Sequence, residues 1–122
     1  MDDLGMTGNA AADHDISFGQ TQLQIINASH PLAAGLSGTV TVTGAASIFS
    51  WGRPNANAAN IATIVGDANK SAIFGYEKGA AMVGLTAPAR RVGFFLENAT
   101  AAELTGQGFA LFDAAVRWVT GR

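Results

Sequence analysis

Hydrophobic positions are densest in the last third of the chain. Residues 90–96, Arg90-Arg91-Val92-Gly93-Phe94-Phe95-Leu96, form a short apolar run flanked by charge, with Pro88 just before it. That pattern predicts a buried strand. Further on, Phe109, Phe112, Val116 and Val119 recur at spacings of three and four, and Leu111, Ala115 and Trp118 widen the stripe. This predicts an amphipathic helix. Thr105 is a ready N-cap, Thr100 and Glu103 have the spacing of an earlier capping box, and Gly121 stops the helix. The strand–loop–helix unit is expected to be central, with Phe94, Phe112 and Val116 buried together.

The rest of the chain alternates in shorter segments. Residues 21–27 and 39–43 show period-two patterning, the latter with Val40 and Val42 on one face and threonines on the other. Residues 47–51 follow a Gly44-Ala45-Ala46 link, so 39–43 and 47–51 are expected to form a hairpin with Ile48 and Phe49 competing for its buried face. Strands are also expected at 59–65 and 71–77, and a short one at 80–84. Between 29 and 35, Pro31 keeps His30 extended, Ser29 or Asn27 can cap a short helical turn, and Gly35 ends it. Residues 1–20 are polar, Gly-rich and without periodicity, which predicts a loosely held arm preceding one domain over 21–122.

Composition narrows the picture. In 122 residues, 48% are hydrophobic and 13% charged, enough apolar material for a real core. A net charge of −2 with seven Lys and Arg argues against a nucleic-acid surface. No apolar run approaches the ~20 residues of a membrane span. The Asp2-Asp3 start carries the wrong charge for a signal peptide. There is no cysteine, so disulfide and thiolate chemistry are excluded. The low-charge texture, rich in Ala, Thr, Gly and Asn, resembles secreted bacterial modules, so an extracellular setting is expected.

Four segments in succession carry a resemblance: His30-Pro31-Leu32-Ala33-Ala34-Gly35-Leu36, Trp51-Gly52, Ala87-Pro88-Ala89-Arg90-Arg91-Val92-Gly93-Phe94, and Leu111-Phe112-Asp113-Ala114-Ala115-Val116-Arg117-Trp118. Together they resemble the C-terminal half of glutamine-amidotransferase-like domains, those of the trehalose-utilisation (ThuA-like) type above all. The resemblance covers about residues 21–121, and its motifs are mostly structural. It implies a flavodoxin-like layered α/β domain. The parallel βαβ half with the nucleophile elbow has no counterpart here, and no cysteine exists to serve as nucleophile. The histidine that active members carry after the late strand is missing too, since Leu96 is followed by Glu97 and Asn98. No catalytic residue carries over.

Few constellations suggest chemistry. Asp13, His14, Asp15 and His30 offer carboxylate and imidazole ligands for a divalent metal, but their spacing matches no ligand motif; solvated loop charges and a turn histidine are the plainer reading. Glu77 and Glu97 are two carboxylates at predicted strand ends, which a glycosidase would need and which chance also supplies. Gly106 and Gly108 open the helix without the lysine or third glycine of a phosphate loop. Trp51, Arg53, Tyr76 and Glu97 make a candidate ligand surface, with Trp51 either stacking on a sugar or covering the core edge.

The pattern therefore predicts an α/β or α+β domain: a mixed sheet of about six strands with one long C-terminal helix, a truncated flavodoxin-like fold. A β-sandwich with an appended helix is the alternative. One helix leaves a sheet face bearing Ile25, Val40, Val42, Ile64 and Ile73 uncovered, which predicts a homodimer burying at least ~1,000 Å². The expected function is a non-catalytic binding or interaction module of amidotransferase-like descent that self-associates, with a glycan or protein ligand and no cofactor. The alternatives are a glycan-directed hydrolase using metal or paired carboxylates, and a self-assembling structural subunit.

Overall fold

A computed structural model describes residues 14–82, 86–87, 89–96 and 103–120, with His14 and Asp15 described by their backbone alone. Seven strands form one sheet: β1 (His14–Gln20), β2 (Gln22–Ile25), β3 (Gly38–Thr41), β4 (Ser47–Gly52), β5 (Ala59–Ile64), β6 (Asp67–Tyr76) and β7 (Arg91–Phe94). One helix, α1 (Gly106–Val119), and a single 3-10 turn, Pro31–Ala33, complete the described elements. The strand order is β1-β4-β6-β5-β2-β3, and β7 pairs with β6 beside β4. Every strand pairing among the described residues is antiparallel.

This overturns the mixed, flavodoxin-like expectation, and because Thr21 alone joins β1 at one edge to β2 beside the other edge, the sheet curls back on itself. The reason lies in the connections. Residues 42–46, 53–58 and 65–66 are too short to carry the crossover that parallel neighbours need, usually a dozen residues or more. The predicted 39–43/47–51 hairpin does not form either. β3 pairs with β2 at one edge, while β4 pairs with β1 and β6 towards the other. Alternation foretold both strands but not their partners. In β4, Phe49 takes the core and Ile48 is half-buried.

β1 corrects the expectation that the first 20 residues form a loose arm, because His14–Gln20 is an edge strand on β4. Its two large apolar residues, Ile16 and Phe18, point away from the core and are exposed, so the stretch lacks a buried periodic signature. Residues 1–13 lie outside the described residues. The middle strand is β6 rather than 90–96. β6 begins at Asp67, where a polar turn was expected, and touches β5, β4 and β7.

Alternation along β6 serves two cores. Ile73 and Gly75 face α1, and Phe74 and Tyr76 face the other way. On the helix side Leu23, Phe49, Ile61, Leu111 and Trp118 belong to the main core. Gly75 is required there, because a Cβ would stand 2.9 Å from both Leu32 and Trp118. On the far side Met82 and Ala87 cover Phe74 and Tyr76. Asn55 Nδ2 and Asn57 Nδ2 hold this segment by donating to the Ala81 carbonyl at 2.7 and 2.9 Å. The uncovered sheet patch expected from the sequence is therefore absent: Ile25, Val40, Val42, Ile64 and Ile73 are all buried.

Candidate interaction face and ligand cavity

α1 starts where the edge of the sheet stops. Thr105 caps it, its Oγ1 accepting from the Gly108 N–H at 3.2 Å and donating to the Thr41 carbonyl at 2.7 Å. The Thr105 N–H donates to Val42 O at 2.9 Å. Gly108 lies so close to Val42 that a Cβ would fall 2.3 Å from its carbonyl oxygen. This clamp fixes the rotation of the helix. Gly108, Leu111, Ala115 and Trp118 face the sheet.

The adjoining stripe, about 100° round the helix, is Phe109, Phe112, Val116 and Val119, exposed by 57, 44, 43 and 41% respectively. Phe112 and Val116 thus contradict the expectation that they are core. The helix carries more apolar surface than one sheet face can take, and the small residues Gly108 and Ala115 give the closer approach. Phe94 does meet Phe112, edge to face at 6.0 Å, and stacks on Phe95 at 4.7 Å. Between α1 and β7 a groove of about 340 Å³ is lined by Val92, Phe94, Leu96, Phe112, Val116 and Val119, with Arg90 and Arg91 at its margin. Arg91 Nε is buried with no hydrogen-bond partner among the described residues. Arg90 is engaged: Nε donates to Glu77 Oε1 at 2.7 Å, Nη1 to the Trp118 carbonyl at 2.9 Å, and the guanidinium lies 4.8 Å from the Trp118 ring centre.

A second concavity, about 420 Å³, opens where β2, β4 and β5 meet the head of β6. Arg53, Asn60, Asn69 and Ser71 supply its polar lining, Ile26 and Pro54 an apolar rim. Beside it, Trp51 is 5% exposed and carries two cations on its ring, Arg53 at 5.9 Å and Lys70 at 5.1 Å.

Comparison with protein-family models, curated proteins and solved structures returns no match. No comparison supports a likeness to amidotransferase-like domains, and the antiparallel sheet departs from the fold that likeness implies.

The other residues singled out in the sequence scatter. Asp13 and Glu97 lie outside the described residues, so the Glu77–Glu97 and Asp13 pairings do too. His14 and Asp15 are in β1, far along the chain from the turn that holds His30, and no group of three metal-ligating side chains occurs among the described residues. His30 itself is the cap of the Pro31 turn, a role expected of Ser29 or Asn27. Its Nδ1 accepts from the Leu32 N–H at 3.1 Å, and its ring lies 5.5 Å from that of Trp118. Burial pushes its pKa down; Glu77 opposes this and Arg90 reinforces it. Tyr76 is fully buried, not a surface aromatic. Its hydroxyl accepts from the Asn55 N–H at 3.1 Å, and burial raises its pKa. Trp51 covers the core, and of the three described ligand candidates Arg53 lines a cavity. Sequence reasoning missed Asn60, Asn69 and Lys70. Nothing in a strand of mixed polarity marks which amides converge.

Proposed function

We propose that the chain is a non-catalytic interaction module that self-associates through the outer stripe of α1. The observation that carries this reading is the contiguous exposure of Phe109, Phe112, Val116 and Val119 beside the apolar groove. Such patches on soluble chains mark contact surfaces. The occupant we favour is a second copy, because the stripe complements itself. Two α1 helices packed antiparallel about a two-fold axis at the level of residue 114 along the helix set Phe109 against Val119 and Phe112 against Val116. Large then meets small along the whole contact, as interdigitating helices require. A stable pair needs about 1,000 Å² of total burial. On this reading the amidotransferase-like motifs at His30 and along 111–118 serve as scaffold.

Sedimentation equilibrium tests the proposal. Wild type should run as a dimer at micromolar concentration, and Phe112→Glu as a monomer with unchanged circular dichroism. Wild type at monomer mass throughout would overturn it, as would a Phe112→Glu variant that remains dimeric.

A further inference from the structure

The cavity at the head of β6 has a chemistry that self-association does not use. Its polar side chains come from three separate parts of the chain: Arg53 after β4, Asn60 in β5, and Asn69 with Ser71 in β6. Arg53 and Lys70 share one indole, so two positive charges are held near the same mouth. Only Lys70 has a counterion, Asp67 at 3.7 Å; Arg53 has no carboxylate within salt-bridge distance among the described residues. An anion beside Arg53 relieves that imbalance, and a guanidinium fits a carboxylate with two parallel hydrogen bonds.

The remaining lining calls for hydroxyl groups. Each Asn offers an amide donor pair and an acceptor. Ser71, buried on β6, lies 3.4 Å from Ala62 O and 3.3 Å from Ile73 O, and its one hydrogen can serve only one of them, which leaves its lone pairs free to accept. Ile26, half exposed, and Pro54 provide the apolar contact that a sugar C–H face takes. At about 420 Å³ the space suits a monosaccharide and lies in the usual range for small-ligand sites.

We propose that this cavity binds a carboxylate-bearing saccharide, a uronic acid or uronate-ended glycan, with Arg53 taking the carboxylate and Asn60, Asn69 and Ser71 the hydroxyls. Trp51 is the buried platform that holds Arg53 and Lys70 in place. It is not itself the stacking surface.

The experiment is an NMR titration of the whole protein with D-glucuronate, D-glucose and acetate in parallel. With glucuronate, the Asn60 and Asn69 side-chain amides and the Trp51 indole N–H should shift saturably. Glucose and acetate should each bind at least about tenfold more weakly, and Arg53→Gln should lose about tenfold for glucuronate alone. Arg53 is exposed, so this variant should keep the wild-type spectrum elsewhere; Asn60→Ala provides a second, uncharged test. No saturable shift up to about 50 mM glucuronate would overturn the proposal. So would equal affinity for acetate, which would mean a bare anion site, or an affinity unchanged in both variants.

Discussion

Trp118 is where separate parts of the chain meet. Its ring covers Gly75 of the sheet, His30 stands against it, and Arg90 lies over it while binding its carbonyl. Burial is therefore a better guide to stability here than hydrophobicity. Leu111 is fully buried, so Leu111→Ala should cost about 2–5 kcal/mol. Phe112, the next residue and about 100° round the helix on the outer stripe, should cost much less in the monomer; a surface change is usually within about 0.5 kcal/mol, and its Phe94 contact adds somewhat to that. Urea unfolding of the two alanine variants at concentrations dilute enough to keep each monomeric would measure the contrast. Gly108→Ala should be harmful despite better helix propensity, because the new methyl meets the Val42 carbonyl. About 1–3 kcal/mol of destabilisation is expected, seen as a lower melting temperature.

At the scale of elements, the Pro31 turn depends on a neutral imidazole. Nδ1 can accept from Leu32 N–H only while it carries no proton. Burial lowers the His30 pKa below its ordinary 6.5, so protons bind the unfolded chain more readily than the folded one. Its contribution is present above about pH 6.5 and is lost as pH falls through the lower, folded value. Thermal melts at pH 7.5 and 5 should show wild type losing more stability on acidification than His30→Gln; equal losses would argue against this role. Arg90 ties α1 to the strand side. Arg90→Ala removes the stacked cation and the donor to the helix C-terminal carbonyl, and should cost about 1–2 kcal/mol.

For the whole molecule, one sheet carries two unequal covers. α1 and the Pro31 turn seal one face, while among the described residues Met82 and Ala87 cover the other over Phe74 and Tyr76. Ile16, Phe18, Ile26 and Val65 are exposed on the sheet, and Phe109, Phe112, Val116 and Val119 line the helix flank, so the proposed association through that flank should be driven by apolar burial. Raising salt to about 1 M, where charge interactions are screened within about 3 Å, should leave the proposed dimer intact or tighten it. Sedimentation that shows dissociation in salt would point instead to charged contacts, such as those of Arg90 and Arg91.

The sequence by itself determined the helix and its Thr105 cap, the strands at 59–65 and 71–77, and the alternation that buries Val40 and Val42. Each rests on local spacing, and local spacing is what a sequence displays. It also made Arg53 a candidate, since a cation beside Trp and Pro is visible in one dimension. Only the tertiary structure decided which strands pair, because hydrogen-bonded partners are chosen among segments of equal patterning by loop length and register. Only packing chose which half of a wide apolar arc on α1 faces the sheet, through the small residues Gly108 and Ala115 and the clamp at Val42. And Asn60, Asn69 and Arg53 belong to one cavity only because antiparallel pairing brings the ends of β4, β5 and β6 together.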